Sequence, residues 1–428
     1  MNLLKQNMNF LMLFLGRLVT NIGDSIYYVA SMWLVYDLGK SAFYTGLAGF
    51  LILLPKALQF LTGPFIDKWR IKRTLVITQL LQCILILIIP IAYLYDVLTI
   101  QIILIVMPII AFIEEFAYPT QTKALPLILK KEELIKGNSL FAFAYQGVDI
   151  VFNASAGILV ALVGAVTLYL VDSVTFAVAA LFFGLLKISG ESVVEQKEKT
   201  SVKSAVGNYF ADLSEGFSIV FKSLLWAFLI GSFIANFGIG IAMAILPSFS
   251  ASIGGVEMYG VLLTALSAGS LLGALLGSLV GKYRVGLLAI ICFTIGSGCW
   301  TIAAMVASPI LTPVLFGLAW VPIGAINVLF SGISQSIIPN HLLGRVNSVM
   351  YSMSIIAMPI GSLLGGYLAT RISSQNLFAY TGAGILFIAI VWFLHPKLRK
   401  LPSAGNIGVE SFNLSFKEEG IQRSKVVG

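Results

Sequence analysis

The chain has 428 residues, of which 58% are hydrophobic and only 11% charged, with a formal net charge of +8. Soluble domains carry about 25% charged residues, so a soluble enzyme or binding module is excluded and a polytopic membrane protein is implied. In that setting the positive balance describes a surface beside anionic lipid, not a nucleic-acid site.

A membrane-crossing helix needs roughly 20 apolar residues. Twelve such stretches are predicted, at about 9–37, 42–65, 73–95, 98–122, 138–163, 166–188, 223–248, 256–281, 285–307, 310–335, 346–371 and 377–395. The fold class is therefore an all-α membrane protein. A six-helix bundle is expected over 1–189, a polar cytoplasmic linker over 190–222, a second six-helix bundle over 223–396 and a cytoplasmic tail over 397–428, polar from about 403 and expected to be disordered. Lys/Arg placement sets the orientation. With both termini cytoplasmic, the outer loops hold only Lys40 and Arg371, Arg17 and Lys56 lie within spans, and the other 23 of the 27 basic residues fall inside. The first apolar run contains Arg17 and Asp24 and lacks a small-residue cleavage site, so a cleaved leader is not expected.

Charge inside a span is costly, and here it gathers in the first half. In span 1, Arg17, Asn21, Asp24 and Tyr28 are spaced 4, 3 and 4, which keeps them on one helix face. Span 2 carries Lys56. In span 4, Glu114, Tyr118 and Gln121 form a second stripe, with Glu115 beside it. In span 5, Gln146, Asp149 and Asn153 form a third. Three polar stripes should face one another or a water-filled cavity. A carboxyl held between basic partners and apolar walls has a tunable protonation state. Asp24, Glu114, Asp149 and Glu115 are accordingly the proton-coupling candidates, with Arg17 and Lys56 as counter-charges; the alternative is a set of permanent ion pairs. Asp37 and Asp172 fall near the outer ends of their spans and are expected to be solvated.

The second half offers softer polarity. Asn236 lies in span 7, Asn327 and Ser331 in span 10, and Tyr351 early in span 11, with Phe330, Trp226 and Trp320 as candidate cavity walls. Together with Asn21, Tyr28, Tyr118, Gln146 and Asn153 these suit a bulky amphiphilic ligand. Gly269, Gly273, Gly277 and Gly281 recur every four residues in span 8, as Gly361 and Gly365 do in span 11, and are expected to serve as packing and rocking surfaces. Proline at 55, 108, 119, 247, 322 and 359 is expected to bend the spans. No phosphate loop, metal-ligand spacing or nucleophile–histidine arrangement is visible, so no cofactor, no metal and no enzymatic reaction are expected.

Two basic turns repeat at an offset of half the chain. Gly63-Pro-Phe-Ile-Asp67-Lys68-Trp-Arg70-Ile-Lys72-Arg73 follows span 2, and Gly277-Ser-Leu-Val-Gly281-Lys282-Tyr-Arg284 follows span 8. The first resembles the signature loop of the major facilitator superfamily. Asn21-Ile-Gly23-Asp24, the run Pro119 to Pro126 and Gly344-Arg345-Val-Asn347-Ser348 narrow the resemblance to its macrolide-efflux and enterobactin-exporter branch. The resemblance implies two pseudo-symmetric bundles, alternating access and export in exchange for protons. It also implies a conformational latch made of Gly63, Asp67, Lys68, Arg70 and Arg73 with Arg345 near the start of span 11. Two departures are plain: Glu114-Glu115 stands where related antiporters carry arginine, and Asn153-Ala-Ser-Ala-Gly157 replaces a glycine-proline motif. The expected protein is thus a monomeric, multi-pass plasma-membrane exporter whose partners are an amphiphilic small molecule, protons and lipid. A lipid, glycolipid or lysophospholipid flippase is the second reading, and a non-transporting receptor the third.

Overall fold

The computed structural model describes residues 2–59, 69–130, 133–188 and 214–414. These form twelve long helices: α1 Met8–Gly39, α2 Ala42–Ala57, α3 Ile71–Leu94, α4 Ile100–Ile128, α5 Leu134–Val163, α6 Ala165–Gly184, α7 Leu225–Ile253, α8 Gly255–Val280, α9 Val285–Val306, α10 Leu311–Ile337, α11 Asn340–Leu368 and α12 Ser374–Leu394. Among the described residues, nine are long and apolar enough to cross a membrane, and α2 adds a shorter apolar helix. With every backbone group needing an internal partner in lipid, helices are the expected solution.

Local chemistry sets the ends and breaks. Asn7 caps α1 by accepting from the Phe10 N–H at 3.0 Å, and Ser41 caps α2 through the Phe43 N–H. Lys40 takes the left-handed conformation at the α1 terminus. α3 is interrupted at Leu87 and α11 at Ile356. Each break lies three residues before a proline, Pro90 and Pro359, whose missing N–H and ring disrupt the preceding turn. Of the six prolines named above, only Pro359 lies beside such a break; Pro108, Pro119, Pro247 and Pro322 sit inside continuous helices. α5 contains a π turn at Phe143–Gly147.

The glycine stripes do pack helices, but within one bundle. A methyl group on Gly277 would lie 2.8 Å from the Ala325 carbonyl oxygen, and Gly269 and Gly273 abut the Gly317 and Val321 carbonyls in the same way. α8 and α10 are therefore in backbone contact. Gly361 meets Phe237 and Gly240 meets Met358, which seats α11 on α7. The expectation that these stripes form the rocking surfaces is corrected: the surfaces where the halves meet are built from other glycines. Gly46 of α2 packs on Gly366 of α11, where a methyl group on Gly46 would lie 2.5 Å from the opposing Cα, and Gly157 of α5 packs on Gly260 of α8. Thr45 donates to the Ala244 carbonyl at 2.6 Å, and Ser362 to the Gly46 carbonyl at 3.0 Å. Trp33 of α1 stacks on Tyr259 of α8. By chain direction all these contacts lie in the half of the molecule away from the termini.

The segment after α12 is not the loose polar tail expected from position 403. Residues 401–414 strap the terminal end of the second bundle. The Val285 N–H donates to the Pro402 carbonyl at 3.0 Å, Ala404 N–H to the Gly281 carbonyl at 3.0 Å, and Leu224 N–H to the Phe412 carbonyl at 2.7 Å. Leu401, Ile407, Phe412 and Leu414 are buried beneath it. The strap thus satisfies backbone groups at the ends of α7, α8 and α9 that no helix can satisfy for itself.

Candidate functional site

The polar stripe of α1 meets that of α4, as the spacing predicts. Arg17 is 2% exposed. Its Nη1 donates to the Gln121 Oε1 at 2.8 Å, and its guanidinium lies 4.3 Å from the Tyr118 ring centroid and 4.8 Å from that of Phe141 on α5. A planar, delocalised cation can use both faces in this way while its edge hydrogen-bonds.

One turn further along α1, Thr20 donates to the Gln79 Oε1 at 2.9 Å, and Gln79 donates to Gln82 at 3.1 Å. These two buried glutamines of α3 went unrecognised in the sequence, although two amides three residues apart in an apolar span share one face. Asn21 donates its Nδ2 proton to the Ala144 carbonyl at 3.0 Å. Ala144 lies in the π turn, where the regular hydrogen-bond ladder shifts. Asn21 therefore holds the irregular turn of α5 against α1.

Lys56 is half-buried on α2. Tyr118 and Tyr351 are each 49% exposed. Glu115 is buried and Glu114 exposed, as follows for neighbours 100° apart on a helix. Asp24 is half-buried.

Asp172 overturns the expectation that it is solvated. It is fully buried, accepting from the Thr175 hydroxyl at 2.9 Å on Oδ1, while Oδ2 has no hydrogen-bond partner. The carboxyl rests against Gly23, where any side chain would collide with it. One turn earlier, Tyr169 donates to Ser31 at 2.8 Å and meets Tyr27 edge-on. Counting residues from a span's end misplaced Asp172 because α1 covers it. Asp37, in contrast, is exposed and paired with Lys40.

The softer candidates of the second half divide. Asn236 donates to the Ser232 carbonyl at 2.8 Å within its own helix, and Asn327 and Ser331 are exposed. Phe330 packs between Phe228 and Trp392 and Trp320 sits beside Trp300, within the bundle, whereas Trp226, edge-on to His395, is 39% exposed. The side chains of Gln146, Asp149, Asn153 and Arg345 lie outside the described residues, as do Gly63, Asp67 and Lys68. Arg70 and Arg73 are described and exposed at the start of α3.

This arrangement, twelve helices in two bundles, matches known proteins over its length. The Major Facilitator Superfamily model matches residues 13–353. The chain belongs to the major facilitator superfamily. Among its relatives, the multidrug efflux pump Tap of Mycolicibacterium fortuitum is 25% identical over 92% of this chain and 97% of its own. Macrolide efflux protein A of Streptococcus pyogenes is 24% identical over the same shares. Among solved structures, the nucleoside transporter NupG superposes with a TM-score of 0.67 at 14% identity, covering 90% of this chain and 98% of its own. A bacterial homologue of the human lysosomal transporter Spinster, inward-facing and occupied, superposes with a TM-score of 0.66 at 12% identity, covering 94% and 97%. At such identities these structures establish the fold alone. The protein is a major facilitator superfamily transporter, embedded in a membrane by many passes.

Proposed function

We propose that this transporter exports a bulky amphiphilic small molecule, a macrolide-like drug or a siderophore, in exchange for protons. The observation that carries the reading is the buried polarity shared by α1 and α4: Arg17 donates to Gln121 against the Tyr118 ring, and Glu115 is buried one turn before Tyr118 on α4. A substrate entering beside the half-exposed Tyr118 and Tyr351 meets aromatic faces, and Glu115, buried on the same helix as Tyr118, is a group whose charge can change with it. Two relatives named for efflux support the direction. In this reading both termini lie in the cytoplasm of a plasma-membrane protein, so that the glycine-sealed end is extracellular and the conformation inward-facing. Glu115 leads the proton carriers, with Glu114, Asp24 and Asp149 next to it, and Asp67 with Arg345 acts as the latch of the opposite state. The unit is a monomer, and the protein has no catalytic reaction.

The test is movement into or out of proteoliposomes under an imposed pH gradient, with macrolide, siderophore and lysophospholipid probes. Gradient-driven movement of a macrolide or siderophore that disappears in Glu115→Gln supports the reading. If Glu115→Gln, Glu114→Gln, Asp24→Asn and Asp149→Asn all keep gradient-driven movement, proton coupling through these groups is wrong. Movement of the lysophospholipid alone would replace drug export by lipid flipping.

A further inference from the structure

Asp172 lies in the junction of α1, α3 and α6, inside the first bundle. It is fully buried. Its Oδ1 accepts from the Thr175 hydroxyl at 2.9 Å, and its Oδ2 has no hydrogen-bond partner. Among the described residues it takes part in no ion pair. Gly23 of α1 closes the junction against the carboxyl. Cys83 of α3 and Ser173, hydrogen-bonded at 3.3 Å, bring α3 to the same level. Two more buried polar atoms beside these contacts have no partner: the hydroxyl of Tyr27, one turn beyond Gly23, and the amide nitrogen of Gln82, next to Cys83.

We propose that Asp172 is a proton-binding site, its carboxyl neutral with the proton on Oδ2. An ionised carboxylate taken out of water must be paired or hydrogen-bonded, and here one oxygen is neither. Tyr27 and Gln82 could donate, but neither bonds to Oδ2, so neither compensates a charge there. The titratable groups nearest the junction on the helices packed together there are Tyr169 on α6 itself, Asp24, Tyr27 and Tyr28 on α1, Cys83 on α3 and Asp149 on α5; none is a cation. The basic residues of α1 and α3 stand further off. Arg17, engaged with Gln121, is about 9 Å from Gly23 along α1 at 1.5 Å per residue, and Arg73 is further still from Cys83 along α3. A metal cation would need several converging oxygens, whereas Gln82 offers its nitrogen, its Oε1 already accepting from Gln79 at 3.1 Å. This carboxyl stands apart from Glu115, Glu114, Asp24 and Asp149, and its proton does not depend on which substrate is exported.

The experiment is infrared spectroscopy of the purified full-length protein in lipid at neutral pH, reading the carbonyl stretch of protonated carboxyls. The wild type should show a band that Asp172→Asn removes. Thr175→Val keeps the shape of the side chain and removes the hydrogen bond to Oδ1. It should move that same band to higher frequency, because the carbonyl oxygen loses its donor, and it decides the matter if Asp172→Asn fails to fold. Finding no protonated-carboxyl band that Asp172→Asn removes overturns the proposal, and so does a spectrum that Thr175→Val leaves unchanged. Thermal shift in sodium, potassium and choline chloride runs in parallel. Equal stability is expected in all three salts. A sodium-dependent gain that Asp172→Asn abolishes would put a cation, and not a proton, on the carboxyl. Transport plays no part in these readouts, so a failure of the export reading would leave them to stand or fall alone.

Discussion

The two bundles share one path of the chain and differ in what fills them. The first is crossed by side-chain polarity: Arg17 on Gln121, Thr20 on Gln79, Asn21 on the π turn, Asp172 under Gly23. The second is joined by backbone: α8 on α10 and α11 on α7 approach through glycine until carbonyl oxygens touch the opposing helix. In a membrane, where lipid is as apolar as leucine, helices associate by close packing or by polar contacts. The first bundle leans more on polar contacts; the second adds to its glycine packing a few bonds to α12, from Ser297 to the Gly382 carbonyl at 2.8 Å and from Trp300 to the Phe378 carbonyl at 3.1 Å. The difference teaches that a duplicated fold can keep one half as a close-packed body and give the other the buried polar groups.

The largest expected effect comes from the seam between the bundles. Gly157→Leu should push α5 off Gly260 at a cost of about 3 kcal/mol, lowering the sealed state on the order of 100-fold. Efflux should collapse, and cysteine labelling should show the sealed end open. Normal efflux would mean that the seam tolerates bulk and does not govern the cycle. Next, Glu115→Gln should remove gradient stimulation by roughly tenfold, since coupling between two ligands is typically about 1–3 kcal/mol, while substrate binding persists. Equal loss from a polar substitution at Asn236 in the second bundle would break the comparison. Arg17→Lys keeps the charge but loses the planar fork and the ring contacts, and should cost about 2 kcal/mol in thermal stability. Smallest is Asp172→Asn, which preserves shape and the acceptor for Thr175 and should change stability by under about 1 kcal/mol. Asp172→Leu at the same site should destabilise clearly, because a branched side chain must fit against Gly23.

The helices and the facing stripes of α1 and α4 were legible in the sequence, because polarity at helical spacing in an apolar run has to face inward. The glycine repeats announced close packing but not the partner. A stripe of small residues looks the same whether it meets a neighbour in its own bundle, as Gly273 does, or the other bundle, as Gly157 does. Asp172 was misjudged because exposure depends on what crosses a position, and α1 crosses it at a residue with no side chain. The strap after α12 was missed because Leu401, Ile407, Phe412 and Leu414 follow neither helical nor strand spacing. Their burial comes from hydrogen bonds to helix ends that are remote in sequence.

That strap has a practical side. A fluorescent protein or affinity handle fused directly after Lys400 would strip three helix ends of the acceptors and donors they use, and should yield an unstable, poorly expressed product. The same cargo joined beyond Leu414 leaves those bonds in place. Where an investigator chooses to attach a reporter would then decide whether the second bundle is seen intact or already fraying.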